Sequence, residues 1–449
     1  MTSQPLGEIA DVVRGISFPK DAKSLVPRDG DVACLRTTNV QREVEWDDLW
    51  FVPAEHVKRP EQFVQPGDIL ISTANSYELV GKVALVSGTP RQATLGAFIS
   101  LIRPRPGIEP KFLYHQLAWG RTQSRIRETA STTTNISNVS SKKLAALELD
   151  VPPLDEQRRI VAELEKQLSR LDEAVANLKR VKASLKRYKS AVLKSAVEGQ
   201  LAPNEAELAR RTGGRVEFAN DFLQRILADH RSRWEGRGRY KEPAAPRPEW
   251  QFPLPEGWVW ATLGHLAYSV KDGPHYSPKY SELGIPFISG GNVRPGGIDF
   301  STAKFISPDV HAELSKRCKP DYGDLLYTKG GTTGVARVNT ERCEFNVWVH
   351  VAVLKLCPNV NPFYVQHALN SEHCYRQAQQ YTHGVGNQDL GLTRMVWITI
   401  PVPPRAEQDR IVAEVDRRLS IVSEIAAEVD ANLKRANHMR QAIFASAFS

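Results

Sequence analysis

The chain has 449 residues, 41% of them hydrophobic, which exceeds one ordinary domain and supplies apolar side chains for two separate cores. Its 59 Lys and Arg against 51 Asp and Glu leave a net charge of +8 and a pI near 9.1, an excess that suits a polyanionic partner without requiring one. The opening residues lack the pattern of a signal peptide, no apolar run approaches the ~18 residues of a membrane span, and five cysteines without a CxxC pair exclude a disulfide framework or structural zinc site, so a reducing, cytoplasmic setting is expected.

Residues 1–150 read as a first globular domain, mixed in α and β. A buried-looking strand leads into Asn39-Val40, Gly67-Asp68 marks a turn entering the strand Ile69-Leu70, and Pro110 opens a short helix. Residues 151–200 then form a rod. Pro152 and Pro153 fix its start, because proline is tolerated only in the first turn of a helix. Leu164, Leu171, Leu178, Leu185 and Val192 recur every seventh residue, with Leu168 and Val175 at half-heptad positions, which is a coiled-coil seam. Asp155 to Ala196 is 42 residues, so the helix extends roughly 63 Å, longer than a domain of ~150 residues is wide. Much of its apolar face must therefore meet another helix. Lys182 and Lys189 interrupt the seam, and the basic run from Lys179 to Lys194 reads first as a solvated face, with docking onto nucleic acid or an acidic partner as the other reading.

Residues 201–253 hold one or two short helices, over 203–235, and a linker rich in proline, glycine and arginine from Gly236 to Pro248. Leu254-Pro255-Glu256-Gly257-Trp258 announces a second domain, 254–400, of the same mixed class. Within it Asn361 and Pro362 read as an N-cap and first-turn proline, and His373-Cys374 as neighbours on a helix surface with no metal role. Residues 401–449 form a second rod, with Val415, Val422, Val429, Ala436 and Ile443 on its seam and Arg440 interrupting it.

The second half repeats the first. Val151-Pro152-Pro153, Glu156-Gln157, Arg159-Ile160-Val161-Ala162-Glu163 and Leu168-Ser169 return as Val402-Pro403-Pro404, Glu407-Gln408, Arg410-Ile411-Val412-Ala413-Glu414 and Leu419-Ser420, 251 positions on (152 to 403, 169 to 420). Weaker echoes tie Leu6-Gly7 to Leu263-Gly264, Asn39-Val40 to Asn292-Val293 and Gly67-Asp68 to Gly323-Asp324. The expected fold is α+β: two similar mixed domains separated by two long helices that pair as an antiparallel coiled coil, a pseudo-two-fold internal repeat.

Between the anchors the copies differ, as where Ser72–Glu78 stands against Thr328–Gly334. The same skeleton carries different tips, and their composition suits DNA: Ser, Thr and Asn for phosphates, Arg, Lys, Asn and Gln for base edges. Candidates in the first domain are Arg14, Arg36, Thr37, Thr38, Asn39, Asn75, Ser76, Lys82, Thr133, Thr134 and Asn135. In the second they are Lys271, His275, Ser289, Asn292, Lys329, Thr332, Thr333, Arg337, His383, Asn387 and Gln388. No constellation of nucleophile, base and orienting carboxylate appears: Asn361-Pro362-Phe363-Tyr364 lacks the second proline of an amino-methylating signature, and Gly330–Gly334 lacks the lysine of a phosphate loop.

With the doubled Pro-Pro-x-x-Glu-Gln-x-x-Ile opening of the rods and the Leu-Pro-Glu-Gly-Trp entry, the chain resembles the specificity subunit of bacterial type I restriction-modification systems over essentially its full length. The motif falls on Pro152, Pro153, Glu156, Gln157 and Ile160, and on Pro403, Pro404, Glu407, Gln408 and Ile411. The resemblance implies that each domain is a target-recognition domain for half of an asymmetric, interrupted DNA sequence. The rods would set the gap and dock two methyltransferase subunits, with restriction subunits joining outside. S-adenosylmethionine and ATP would belong to those partners, and this chain would be non-catalytic. Two other readings stay open: a solitary bivalent DNA-bridging protein, and a coiled-coil scaffold for proteins.

Overall fold

The computed structural model describes residues 2–133, 136–214, 218–232, 239–384 and 388–448. Two compact units emerge, one made of residues up to Arg180 together with those from Val429 onward, the other of Val181–Glu428.

The first unit is built on an antiparallel sheet in the order Ala10–Arg14, Ile99–Pro104, Ile69–Ser72, Val83–Leu85. Every side chain of Ile69–Ser72 is buried, because both faces of the strand are covered. Ile69 and Ile71 join Leu113, Leu117 and Ile126 from the helices Pro110–Ala118 and Gly120–Glu128, whereas Leu70 turns to the opposite core with Leu35, Leu95 and Leu101. That alternation is the period-two signature of a strand. A second sheet, Trp50–Pro53, Asp31–Leu35, Ala93–Leu95, closes the other core, its last pair parallel.

The second unit repeats this order. Ala267–Asp272, Val351–Leu356, Leu325–Thr328 and Ala336–Val338 form its antiparallel sheet, and Asn346–Val347 pairs parallel with Ile285–Ile288 as Ala93–Leu95 does with Asp31–Leu35. Each unit also ties the strand entering its domain to the strand before its rod, Thr2–Pro5 with Glu148–Val151 and Val259–Thr262 with Thr399–Val402. Gly67 and Gly323, the paired turn glycines, hold φ of +89° and +90°, a region closed to most side chains. Asn361 caps its helix by accepting from the amides of Phe363 and Tyr364, with Pro362 in the first turn. Cys374 corrects the surface reading: it is fully buried in the helix Glu372–Tyr381, and burial raises its thiol to about 12.

The rods are single helices, Leu154–Val197 and Arg405–Phe448, 44 residues each. The doubled Glu-Gln has a physical explanation in its glutamine. Gln157 is 1% exposed, accepts from the Glu109 amide at 2.8 Å and donates to the Pro152 carbonyl at 2.9 Å, latching the first turn to the loop before the Pro110 helix. Gln408 does the same with the Asn361 amide at 3.0 Å and the Pro403 carbonyl at 3.0 Å.

Within the first unit, Leu164 and Leu168 share an aromatic core with Phe112, Phe444 and Phe448, and Asp172 pairs with Arg440. Residue number rises along one helix as it falls along the other, so the pairing is antiparallel. Within the second unit Tyr188 lies near Arg417 and Arg418, and Val192, Leu193, Ala196 and Val197 share a core with Ile411 and Val415, in the same sense. Leu164, Leu171 and Val192 are buried, as are Val415, Val422, Val429 and Ala436, while Leu178, Leu185 and Ile443 are half-buried. A two-helix seam leaves its edges to solvent, which accounts for the half-buried members.

Arg440, placed where an apolar side chain would sit, finds a partner in Asp172, which also holds Arg42. Burial disfavours the ionised Asp172, but the hydrogen bonds from Arg42 and Arg440 outweigh it and hold the carboxyl below its ordinary range. A carboxyl depressed on folding contributes stability above its unfolded pKa and loses it as pH falls through the folded value. The first unit should therefore weaken below about pH 4, and Asp172→Asn should flatten that loss in pH-dependent urea melts.

The second unit carries two further helices, Glu205–Thr212 and Ala219–Ser232, without counterparts among the described residues of the first. Phe222, Leu223, Ile226 and Leu227 bury against the core that contains Trp258 and Leu263. Glu407, fully buried, accepts from the Trp258 indole at 2.9 Å and the Glu205 amide at 3.0 Å, while Arg410 pairs with Glu205. Its counterpart Glu156 instead bonds the exposed Arg159. Among the described residues no helix is long and apolar enough to cross a membrane.

Candidate nucleic-acid interface

The twin asparagines build the first pair of loops from inside. Asn39, 2% exposed, accepts from the Arg36 amide at 2.8 Å and donates to the carbonyls of Glu45 at 3.0 Å and Asp47 at 2.9 Å. Asn292, 4% exposed, accepts from the Ser289 amide at 2.8 Å and donates to the Asp299 carbonyl at 2.8 Å. Each side chain satisfies backbone groups that a tight turn would otherwise orphan. The effect is to fix the turns of Arg36, Thr37 and Thr38 in one domain and of Ser289, Gly290 and Gly291 in the other.

In the first unit Arg14, Thr38 and Thr133 are exposed, and Arg36, Thr37, Asn75, Ser76 and Lys82 are half-buried. Two of the candidate loops meet. Ala74–Asn75 pairs with Ile136–Asn138, whose other edge is Ser131–Thr133, so Asn75 and Thr133 share one small sheet. Gln41 joins the turn to this region by donating to the Thr38 carbonyl at 2.9 Å and accepting from Lys82. Thr134 and Asn135 lie outside the described residues.

In the second unit Lys271, His275, Thr332, His383 and Gln388 are exposed, Ser289 and Arg337 half-buried, and Thr333 buried; Asn387 lies outside the described residues. Arg337 reaches the Pro295 carbonyl at 3.3 Å. Lys329 faces inward, at 2% exposure. Its ammonium lies 2.9 Å from Asp389 and 3.4 Å from Asp272, itself 2% exposed and also bound by Arg317 at 2.7 Å and His275 at 3.4 Å. Its backbone binds too, the Leu390 amide donating to the Lys329 carbonyl at 2.7 Å. The buried ion cluster thus draws His275, Lys329 and Asp389 together.

Sequence reasoning passed over an aromatic and basic set in the first unit: Phe18, Lys20, Lys23, Trp50 and Phe98. The signal was present in Phe18-Pro19-Lys20-Asp21-Ala22-Lys23, where one aromatic and two cationic side chains fall within six residues, a mix suited to nucleic-acid bases and phosphates. In the second unit it passed over Asp272 and Asp389, the carboxylates that fix Lys329. Among the described residues no cluster of His, Cys, Asp and Glu could hold a metal ion.

Known proteins share this architecture. The chain is 23% identical to the type I restriction enzyme EcoKI specificity subunit of Escherichia coli K12, covering 99% of this chain and 87% of that protein. It is 25% identical to the Escherichia coli EcoBI specificity subunit, covering 75% of this chain and 65% of that protein. Its fold matches a chain from work on the complex assembly and conformational transition of the type I R-M system, with a TM-score of 0.65 at 18% identity over 100% of this chain and 97% of the other. The HsdS subunit from Thermoanaerobacter tengcongensis matches with a TM-score of 0.50 at 18% identity, over 100% of this chain and 96% of its own. The model for the type I restriction modification DNA specificity domain matches twice, over residues 2–187 and 255–434, more than half the sequence and one match per repeat. The chain therefore belongs to the type I restriction modification DNA specificity family.

Proposed function

We propose that the two domains, residues 1–150 and 254–400, each read one half of an interrupted, asymmetric DNA target, and that the chain does so as the non-catalytic recognition subunit of a methyltransferase and endonuclease complex. The observation that carries this reading is one framework built twice with unlike tips. The main antiparallel sheets correspond strand for strand, yet the loops carry Arg36-Thr37-Thr38 in one copy and Ser289-Gly290-Gly291 in the other. Equal frames with unequal readers suit a target whose halves differ.

The long helices set the gap between half-sites and dock two methyltransferase subunits, with restriction subunits joining them. Support for docking comes from Val181, Tyr188, Ile421 and Ile425, large apolar side chains more than 40% exposed on helices whose seams are already filled. S-adenosylmethionine and ATP are held by the partners.

Mapping methylated adenines in the host genome gives both half-sites and their gap together. Removing one heptad from each long helix shortens the helices by about 10 Å and should shorten the recognised gap by about three base pairs. A complex that still methylates the original spacing would rule out the helices as the ruler.

A further inference from the structure

In the first domain the strand Ala10–Arg14 continues into Ile16 and Phe18, and these residues, with Trp50, Arg36 and the stretch Gly96–Ile99, surround a cavity of about 470 Å³. The wall is mainly apolar. Phe18 stands edge-on to Trp50 with ring centres 6.4 Å apart, and Phe98 lies at the cavity with 64% of its surface exposed. The charges are cationic: Lys20 lines the cavity, the Lys23 ammonium lies 4.0 Å and the Arg36 guanidinium 4.7 Å from the Trp50 ring centre. Arg36 is braced by Asp48, while its buried Nε has no hydrogen-bond acceptor. An exposed aromatic face, ammonium groups and a free guanidinium donor fit a flat aromatic ring joined to an anion.

The second domain shows what keeps this cavity open. Added Cβ atoms would strike the Leu95 and Gly96 carbonyls at Gly15 and the Val347 carbonyl at Gly273, so the same close approach of two strands recurs. The Thr73 amide donates to the Phe98 carbonyl at 2.9 Å, as the Lys329 amide does to that of His350 at 2.9 Å. By these contacts Gly96 corresponds to Trp348, and Phe98 to His350. An indole, its ring centre 4.9 Å from that of His350, occupies in the second domain the position where the first has no side chain.

We infer that the Phe18, Trp50 and Phe98 pocket of the first domain binds a nucleobase with its phosphate, the base lying on Phe98 and the phosphate meeting Lys20 and Lys23. The inference rests on the DNA-reading proposal if the base comes from bound DNA, turned out of the stack; a free nucleotide offers the same chemistry, and the experiment separates the two sources.

Gly96→Trp copies the second domain's residue and fills the pocket. The backbone accepts it, since a Cβ on Gly96 would come no closer than 3.6 Å to any atom. Phe98→Ala, at an exposed position, removes the platform without touching the core. Target duplexes carrying 2-aminopurine at each position in turn are titrated with the chain in complex with its methyltransferase subunits. The expected result is brightening at one position of the first domain's half-site other than the methylated adenine, lost in both variants, with duplex affinity reduced about tenfold. Equilibrium dialysis with deoxynucleoside monophosphates gives the other arm: saturable binding lost in both variants, without brightening on duplexes, assigns the pocket to a free nucleotide. Specific duplex binding with neither brightening nor nucleotide uptake, or signals unchanged in the variants, overturns the inference and leaves DNA reading standing. A wild-type complex that binds no mapped duplex specifically removes the DNA-reading proposal and the DNA arm with it, and nucleotide uptake then decides the pocket alone.

Discussion

Phe112→Ala is expected to cost the first unit about 3–5 kcal/mol, the range for removing a fully buried aromatic ring. Phe112 is 1% exposed and packs edge-on to Phe448 with ring centres 5.6 Å apart, in a core that also holds Val161, Leu164, Leu168 and Phe444. Truncation leaves a void among five large side chains on the two long helices, and helices fixed at their other ends cannot collapse into it. A loss of this size should lower the unit's unfolding midpoint by about 10 °C, given roughly 2–4 °C per kcal/mol at this size. Because the second unit has its own core, its transition should stay in place. Ile136→Ala, at a 49% exposed position, serves as the control and should change little. If calorimetry showed Phe112→Ala melting like the parent chain, the aromatic core joining the two helices to the first domain would not exist in solution.

Lys329→Ala should destabilise the second unit by about 3 kcal/mol, near the lower end of the cost of breaking a buried ion pair from one side. The ammonium is all but sealed from water and faces Asp272 and Asp389, so its removal leaves Asp272 buried with Arg317 and the exposed His275 as its remaining partners. A buried carboxylate that loses a partner retains its desolvation cost, which is why one-sided removal is worse than replacing both. Lys329→Met combined with Asp272→Asn should therefore recover much of the loss in urea melts. Failure of the double variant to do better than the single one would mean that Lys329 acts through packing alone. A local effect is also expected: with the tether to Asp389 cut, the chain at Asp389 and Leu390 should become more accessible to limited proteolysis.

The long-range plan of this molecule was legible because it rests on periodicity and repetition, which need no knowledge of partners. Leucines every seventh residue required a helix longer than a domain, and the recurrence of Pro-Pro-x-x-Glu-Gln required two of them. The doubled Asn-Val was legible as an anchor, whereas the inward use of Asn39 and Asn292 was not. An asparagine that bonds a base and one that bonds its own loop have the same letter, and only the backbone path decides between them. Lys329 shows the same limit, since its carboxylates lie 57 residues before it and 60 after it (272, 329 and 389). Glu156 and Glu407 occupy identical motif positions, yet one bonds an exposed arginine and the other is buried, because the helix beginning at Glu205 packs over Glu407 and, among the described residues, none covers Glu156. The pairing of Gly96 with Trp348 was hidden because nothing in their flanking sequences agrees; strand geometry alone aligns them.

The first unit is discontinuous in the chain, and its aromatic core draws Phe444 and Phe448 from the far end of the sequence. On a ribosome, residues 181–428 emerge before those phenylalanines do. The second unit, whose residues are contiguous, can therefore complete its core while the first domain still waits with Phe112, Leu164 and Leu168 unburied. Although it is synthesised first, the first unit finishes last, and during that interval its unburied apolar side chains are open to intermolecular association.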